Sequence, residues 1–146
     1  MKTILTLLLI LPALVSADTM SVDLTLTAYH WDRQTVRDID LNERNPGIGL
    51  HWTDGDHHKM IGGYKNSDYK QSAYVLAAYT PAHIASAKVG ITAGVVTGYL
   101  KEYTPALGLY MVVPITDTID VNITATPTIK SMKCYGFAGF QTSFRF

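Results

Sequence analysis

The sequence predicts an eight-stranded antiparallel transmembrane β-barrel with both termini in the periplasm. Three features support this fold class: an amino-terminal export signal, a series of alternating apolar and polar segments separated by turns, and the aromatic terminus Phe144-Arg145-Phe146. Eight is an even number of strands and the smallest usual number in a membrane barrel. We expect two regions, a signal peptide over residues 1–17 and one outer-membrane barrel domain over residues 18–146.

The first 17 residues have the composition of a secretory signal peptide. Lys2 precedes an apolar run from Ile4 to Leu14, and Val15-Ser16-Ala17 supplies small residues at the cleavage site. A membrane anchor is the alternative, but the apolar run is shorter than the roughly 20 residues that a spanning helix needs. We therefore expect export, with cleavage after Ala17.

Eight later segments have the period-two alternation of β-strands. In the first segment every second residue from Val22 to Ala28 is apolar, and the intervening residues from Asp23 to Tyr29 are polar or aromatic. A soluble sandwich or lipocalin-like barrel is the alternative, but it would place its apolar face inside. Inward-facing glycines are expected to leave open volume in a narrow barrel. The predicted strands are 21–31, 46–52, 58–65, 71–79 (ended by Thr80-Pro81), 87–99, 106–113, 119–126 and 134–146.

The composition argues against several kinds of ligand. Without Lys2 the chain has 11 basic and 12 acidic side chains, so no basic patch indicates nucleic acid. Cys134 is the single cysteine, and no disulfide is expected within the chain. His57 and His58 lie beside two aspartates, but adjacent strand residues point to opposite faces. We expect no metal and no cofactor.

The predicted topology brings a histidine and a serine to one end of the barrel. With the amino terminus in the periplasm, the first and third strands both end at the outer rim. His30 ends the first strand, and Asn66-Ser67 follows the third. An imidazole near a hydroxyl can accept its proton during acyl transfer. The turns with Asp54, His83 and Asp117 are expected at the periplasmic rim.

Six short segments occur in the order found in one family of outer-membrane enzymes. They are Tyr29-His30-Trp31, Leu41-Asn42-Glu43-Arg44-Asn45-Pro46-Gly47, Tyr64-Lys65-Asn66-Ser67, Val89-Gly90-Ile91-Thr92-Ala93-Gly94-Val95, Phe137-Ala138-Gly139 and Phe144-Arg145-Phe146. On these segments the chain resembles the lipid A palmitoyltransferase family. The resemblance implies an acyltransferase that moves a palmitoyl-like chain from a phospholipid to lipid A. We expect it to act in the outer membrane as a monomer.

The resemblance also implies roles for individual residues. His30 matches the family's catalytic histidine and would act as general base, and Ser67 matches its catalytic serine. Asn66 occupies the position of the family's catalytic aspartate. Ala78 occupies the position of a glycine that forms the floor of the acyl pocket. A methyl group at this floor would favour a chain slightly shorter than palmitate.

Three prolines at predicted strand ends resemble those that loosen two seams through which lipid enters the family's barrels. They are Pro46, Pro114 and Pro127. Proline cannot donate to a strand ladder, so it opens gaps between strands or simply ends them. Both interpretations remain open from the sequence.

The alternative function is a non-enzymatic small outer-membrane barrel that binds a lipid or a surface partner. Asn66 is the feature that separates the two hypotheses, because it lacks the negative charge of an aspartate. A lipid A deacylase on a similar barrel is a third hypothesis, but the expected acidic-histidine-serine motif is absent from the sequence.

Overall fold

The computed structural model describes residues 19–99, 101–129 and 135–146, which form a closed barrel of eight antiparallel strands. This confirms the predicted fold class. The predicted signal peptide and Cys134 lie outside the described residues. The strands are β1 (Thr19–His30), β2 (Arg44–Asp54), β3 (His57–Lys65), β4 (Gln71–Ile84), β5 (Ala87–Val96), β6 (Thr104–Pro114), β7 (Ile119–Thr126) and β8 (Phe137–Arg145), with a short helix α1 (Arg33–Asp38) between β1 and β2.

Every strand pairs with its neighbours in sequence, and β1 also pairs with β8. Val22 lies opposite Phe144, and His30 lies opposite Phe137. Closure leaves no free sheet edge, which is the condition for placing strands in lipid. Phe144 and Arg145 of the aromatic terminus are therefore part of the closing strand, and the backbone N–H of Phe146 donates to the Met20 carbonyl beyond it.

The two faces of the barrel have inverted polarity compared with a soluble protein. Large apolar side chains cover the outer surface; Ile48 is 62% exposed and Leu109 is 61% exposed. Polar side chains such as Asp23, Asn122 and Ser143 are buried in the lumen. An apolar exterior around a polar interior is the pattern of transmembrane barrels. Among the residues that the structure describes, no helix is long and apolar enough to cross a membrane.

A bulge in β1 overturns the predicted face of three residues. The strict alternation placed Tyr29 with Asp23 and placed Ala28 on the opposite face. The pairing with β8 shifts between Thr25 and Thr27, so one extra residue enters β1 and reverses the alternation beyond it. Consequently Ala28 and His30 are buried, and Tyr29 is exposed on the outside.

The expectation of open volume above the inward glycines is wrong at two positions. A Cβ added to Gly49 or Gly62 would lie 2.2 or 2.5 Å from the hydroxyl of Tyr74. The tyrosine thus lies across both glycines, which is possible only because neither has a side chain. The space that these glycines leave is filled by an aromatic ring.

Most predicted strand ends differ by one to three residues, and two differences are larger: the end of β4 and a helix in the loop after β1. β4 continues through Pro81 to Ile84, because the pairing with β5 shifts between Tyr79 and Ala82 and the proline lies within this irregularity. The proline therefore need not donate to a regular ladder. The loop after β1 contains α1, whose first turn is capped by the Asp32 side chain, which accepts from the N–H groups of Gln34 and Thr35.

Candidate functional site

His30 and Ser67 meet at one end of the barrel, which we name the His30 rim. The bulge in β1 turns His30 inward at the last residue of the strand, and Ser67 lies in the turn after β3. The Ser67 Oγ lies 3.3 Å from His30 Nε2. The distance is slightly longer than an ideal hydrogen bond, as is common for catalytic pairs without substrate. The structure therefore brings these two predicted residues together.

Glu43 is a third member of the site that the sequence analysis did not assign. Its Oε1 lies 3.4 Å from His30 Nδ1 and accepts a hydrogen bond of 2.9 Å from the His30 backbone N–H. A proton on Nδ1 that faces this carboxylate leaves the lone pair of Nε2 directed at Ser67. The order serine, imidazole, carboxylate is the arrangement that activates a serine nucleophile in many unrelated hydrolases.

The Glu43 carboxylate is also held by Arg33 of α1, whose Nη1 donates to Glu43 Oε1. Burial raises the pKa of Glu43, but the hydrogen bonds from Arg33 and from His30 outweigh burial and lower this pKa below its usual value. The carboxylate therefore stays ionised beside the imidazole. The guanidinium of Arg33 also stacks over the ring of Tyr29 at 4.9 Å, so the helix after β1 fixes the position of the acid.

Asn66 organises the turn that carries Ser67. Its side chain is fully buried, and its Nδ2 donates to Ser72 Oγ and to the Gly98 carbonyl, both at 2.9 Å. Its Oδ1 accepts from the backbone N–H groups of Asp68 and Lys70, also at 2.9 Å. These bonds give Asn66 a structural role in the turn that carries Ser67. Its expected catalytic role stays a prediction.

Asn42 in the loop before β2 and Asn45 near the start of β2 attach this region to the end of β3 and the turn that carries Ser67. The Asn42 backbone N–H donates to the Ser67 carbonyl at 2.9 Å, and the Asn42 side chain donates to the Asn66 carbonyl at 3.0 Å. Asn45 donates to the Lys65 carbonyl at 2.9 Å. Glu43 lies between these two asparagines in sequence. The same contacts therefore fix the position of Glu43 relative to Ser67.

A cavity of about 110 Å³ lies in the lumen below Ser67. Its walls are mostly apolar or small, and near its lower end Gln141 donates to the Tyr74 hydroxyl at 3.4 Å. Tyr64 and Tyr99 share a hydrogen bond of 3.0 Å between their hydroxyls on one wall. The lining includes Ala28, Leu76, Thr92, Val96, Ala106 and Phe137.

Ala78 is buried and faces the lumen, but it is not part of the cavity wall. It packs in an apolar cluster with Met60 and Tyr110. The residues that end the cavity on this side are Leu76 and Thr92, and Thr92 pairs directly with Ala78 in the ladder. Ala78 therefore lies beyond the lining of this cavity, to which Leu76 on the same strand contributes, and its expected role as the floor of an acyl pocket stays a prediction.

The three prolines have different surroundings. Pro46 lies where the β1–β2 pairing skips from Gly47 to Arg44, and the β2–β3 ladder begins only after it. Pro127 follows the last residue of β7, and the β6–β7 ladder begins at Leu109 although β6 begins at Thr104. Both therefore stand at breaks near the His30 rim.

Pro114 lies at the opposite end of the barrel, which we name the Asp54 rim. It forms the last pair of the β6–β7 ladder, with Asp120. The ladder with β7 stays paired up to this residue, whereas the ladder with β5 ends at Val112. On the β7 side Pro114 is an ordinary strand end, and its role as a seam stays a prediction.

The lumen near the Asp54 rim contains polar residues that the sequence analysis left without a role. His51 and His58 lie close together there, and Asp23 and Thr80 lie at the two ends of the pair. A cavity of about 330 Å³ opens beside the histidines and is also lined by Lys88. Within the described ranges, no group of three histidine, cysteine or acidic side chains has the arrangement of a metal site.

Comparison with known proteins first defines the class. The chain is similar to a structure described as a de novo designed transmembrane β-barrel, with a TM-score of 0.63, 9% identity, and 90% of this chain and 98% of that chain covered. At this identity the similarity shows the fold alone. The chain thus has the fold of a transmembrane β-barrel.

A second solved structure supports the same conclusion. It is the solution NMR structure of the de novo designed TMB2.3, with a TM-score of 0.61, 12% identity, and 88% of this chain and 95% of that chain covered. No protein-family model matches the sequence, and no curated protein matches it. The function must therefore be argued from the site itself.

Proposed function

We propose that this protein is an outer-membrane acyltransferase that moves a palmitoyl-like chain from a phospholipid to lipid A. The observation that carries the proposal is the contact of Ser67 with His30, backed by Glu43, above an apolar cavity. A nucleophile at the end of a transmembrane barrel lies at the level of lipid ester groups. The cavity below it has the lining that an acyl chain requires.

The reaction proceeds in two balanced steps. In the first, His30 Nε2 removes the proton of Ser67 Oγ, which attacks the carbonyl of a phospholipid ester. The ester bond breaks, and the leaving glycerol oxygen takes the proton from His30, which yields a lysophospholipid and an acylated Ser67. In the second, an acceptor hydroxyl of lipid A loses its proton to His30 and attacks the acyl-serine ester. Ser67 then recovers its proton from His30.

The His30 rim faces the cell exterior in this proposal, and both termini lie in the periplasm. The signal at residues 1–17 directs export, the barrel inserts as a monomer, and no cofactor takes part. The breaks at Pro46 and Pro127 adjoin the same rim and give lipid a route between strands toward the cavity.

The test uses a strain that lacks this activity and makes lipid A without the additional acyl chain. Expression of the protein is expected to raise the mass of lipid A by one long acyl chain in mass spectrometry. Ser67→Ala and His30→Ala are expected to abolish the increase, whereas Ser86→Ala and His83→Ala, exposed at the other end of the barrel, retain it. Heat-modifiable migration on a gel checks that each variant is folded.

Three outcomes would redirect the proposal. Lysophospholipid and free fatty acid without modified lipid A would indicate hydrolysis, with water as the acceptor. Unchanged lipids with a folded barrel in the outer membrane would favour the non-enzymatic lipid-binding or partner-binding hypothesis. Recovery of the protein from the soluble periplasmic fraction would contradict the proposed location.

A further inference from the structure

The outer face of the barrel carries a positive charge near the Asp54 rim. Lys59 is exposed on β3 between two buried residues, His58 and Met60, so its side chain points away from the lumen. It lies two residues after the start of β3, which is roughly 7 Å from the strand end. A lysine at this depth extends its ammonium group toward the membrane surface and keeps its methylene groups in the apolar layer.

The neighbours of Lys59 on the outer face are side chains that membrane interfaces favour. Trp52 lies opposite Lys59 in the β2–β3 ladder, and Ala77 lies opposite it in the β3–β4 ladder. Tyr79 follows Ala77 on the same face and stacks on the His57 ring, with 4.8 Å between the ring centroids. Tryptophan and tyrosine rings are enriched at the level of lipid headgroups. We name Trp52, His57, Lys59 and Tyr79 the Lys59 patch.

The acidic side chains nearest to the patch lie closer to the rim than Lys59. Asp54 ends β2 opposite His57, two pairs beyond Lys59 in the ladder. Asp56 lies in the turn that follows, 3.2 Å from the ammonium group of Lys88. Both acids therefore lie on the aqueous side of the patch, and the positive charge of Lys59 lies on the side of the bilayer.

Toward the middle of the barrel the patch adjoins an apolar surface. Ile61 follows Lys59 on the outer face and lies opposite Val75 of β4; they are 44% and 51% exposed. In a membrane, acyl chains cover these two side chains. The phosphate of a lipid whose chains lie there reaches the level of Lys59, because headgroups lie on the rim side of the chains.

We propose that the Lys59 patch binds one glycerophospholipid, with its phosphate against the Lys59 ammonium group and its acyl chains over Ile61 and Val75. Charge complementarity favours this occupant, because a lysine near the membrane surface attracts anionic lipid headgroups. The inference rests on the proposed function for the orientation of the barrel, which puts the Asp54 rim in the periplasmic leaflet, away from lipid A. This lipid is distinct from the acyl donor, which reacts at the His30 rim.

The test is native mass spectrometry of the folded full-length protein, released from detergent micelles that contain dioleoylphosphatidylglycerol or dioleoylglycerol. The second lipid has the same chains but no phosphate. The protein is expected to retain one phosphatidylglycerol at concentrations at which it retains no dioleoylglycerol. Lys59→Gln is expected to weaken retention about fivefold, the effect of one lysine near anionic lipid, and Lys59→Arg is expected to preserve it.

Lys65→Gln is the matched control. Lys65 ends the same strand at the other rim, where its ammonium group lies 5.3 Å from the centroid of the Tyr69 ring. This variant is expected to retain phosphatidylglycerol as the wild type does. Equal weakening by Lys59→Gln and Lys65→Gln would overturn the inference, because the effect would then come from net charge and not from the patch.

Two further comparisons keep the inference separate from variant folding and from acyl transfer. Equal retention of the two lipids by the wild-type protein would overturn it, because the phosphate would then have no part in binding. Among lipids that copurify from cells, Lys59→Gln is expected to lose glycerophospholipid, and loss of lipid A instead would overturn the assigned leaflet. Lys59→Gln is expected to leave acyl transfer unchanged, so failure of the proposed reaction and failure of this site are measured independently.

Discussion

The two halves of the lumen are lined by the same eight strands but have different chemistry. Near the His30 rim the interior is small and apolar around a cavity, with one hydroxyl, one imidazole and one acid at its mouth. Near the Asp54 rim, charged and polar side chains are linked to one another: Ser143 bonds both Asp23 and Asn122, and Arg145 pairs with Asp120. Under the proposed function the His30 end carries the reaction, whereas the polar contacts near the Asp54 rim stabilise the barrel.

The largest expected effect is the loss of acyl transfer in the His30→Ala variant. Removal of a general base typically lowers a rate by roughly 10²- to 10⁴-fold. The barrel is expected to remain folded, because the ring lies at the end of β1 and outside the central packing. Mass spectrometry of lipid A and heat-modifiable migration measure the two properties. If the variant lost its fold as well as its activity, His30 would be needed for folding. The two halves of the lumen would then not differ in their importance for stability.

The next prediction concerns the stability of the lumen near the Asp54 rim. Asp23→Ala leaves His51 without its acid and is expected to lower the free energy of unfolding by about 3–5 kcal/mol. Urea unfolding in detergent measures the change, and exposed Asp54→Ala is the control, with an effect within about 0.5 kcal/mol. Acyl transfer by the protein that remains folded is expected to persist. Its loss would show that the two halves are coupled.

Asn66→Asp introduces the aspartate that the family resemblance implies at this position. It is nevertheless expected to lower acyl transfer and stability. Aspartate cannot donate the two hydrogen bonds that Asn66 makes to Ser72 and to the Gly98 carbonyl. Unpaired buried groups of this kind cost about 1–3 kcal/mol each, and the Ser67 loop would shift. Acyl transfer and thermal unfolding measure the effect. Equal or higher activity would instead support a catalytic role at this position.

Glu43→Gln is expected to slow acyl transfer by about tenfold or more, because the carboxylate orients the imidazole and stabilises its protonated form. Arg33 also donates a hydrogen bond to the Glu43 carboxylate, and this second contact limits the expected loss of rate. The pKa of Glu43 is lowered by its hydrogen bonds to Arg33 and His30, against burial. Its contribution to stability is therefore present above the unfolded-state pKa and is lost as the pH falls through the lower folded value.

Unfolding experiments between neutral and acid pH test this sign. The stability gap between wild type and Glu43→Gln is expected to narrow as the pH falls. A gap that is constant over this range would mean that the ionised form of Glu43 has no stabilising role at the rim.

The smallest effects concern the depth of the cavity. Leu76→Ala is expected to shift the donor preference toward longer chains, since one methylene in an apolar pocket is worth about 1–3 kcal/mol. Ala78→Gly is expected to leave the preference unchanged, because Ala78 lies outside the cavity wall. The mass of the transferred chain reports both results. A shift with Ala78→Gly alone would place the floor where the sequence first suggested.

The sequence was sufficient for the barrel because alternation depends on a local property that repeats in every strand. It was also sufficient to place His30 and Ser67 at the same end of the barrel, which follows from the strand count and direction, but their contact depends on the bulge in β1. It did not predict Glu43, whose approach to His30 depends on the path of a loop and on Arg33 of α1. Loop conformations of this kind depend on contacts between residues far apart in sequence.

The His51–His58 pair was missed for a related reason. Two adjacent histidines, His57 and His58, were considered together and correctly separated by the alternation. The partner of His58 comes from the neighbouring strand, where Thr53 lies opposite His58 in the ladder. The turn between β2 and β3 fixes that register, so the sequence of either strand alone does not predict it.

The bulge at Thr25–Thr27 determines which residues near the end of β1 face the lumen. The face on which each later residue of β1 lies depends on the one extra residue in the bulge. Deletion of one residue there would therefore turn His30 from the lumen toward the lipid. Sequences related to this one can therefore conserve the histidine and lose its inward orientation by a change several residues away. Alignments that place the histidine by motif alone will not detect that loss, but the length of the segment from Asp23 to His30 will.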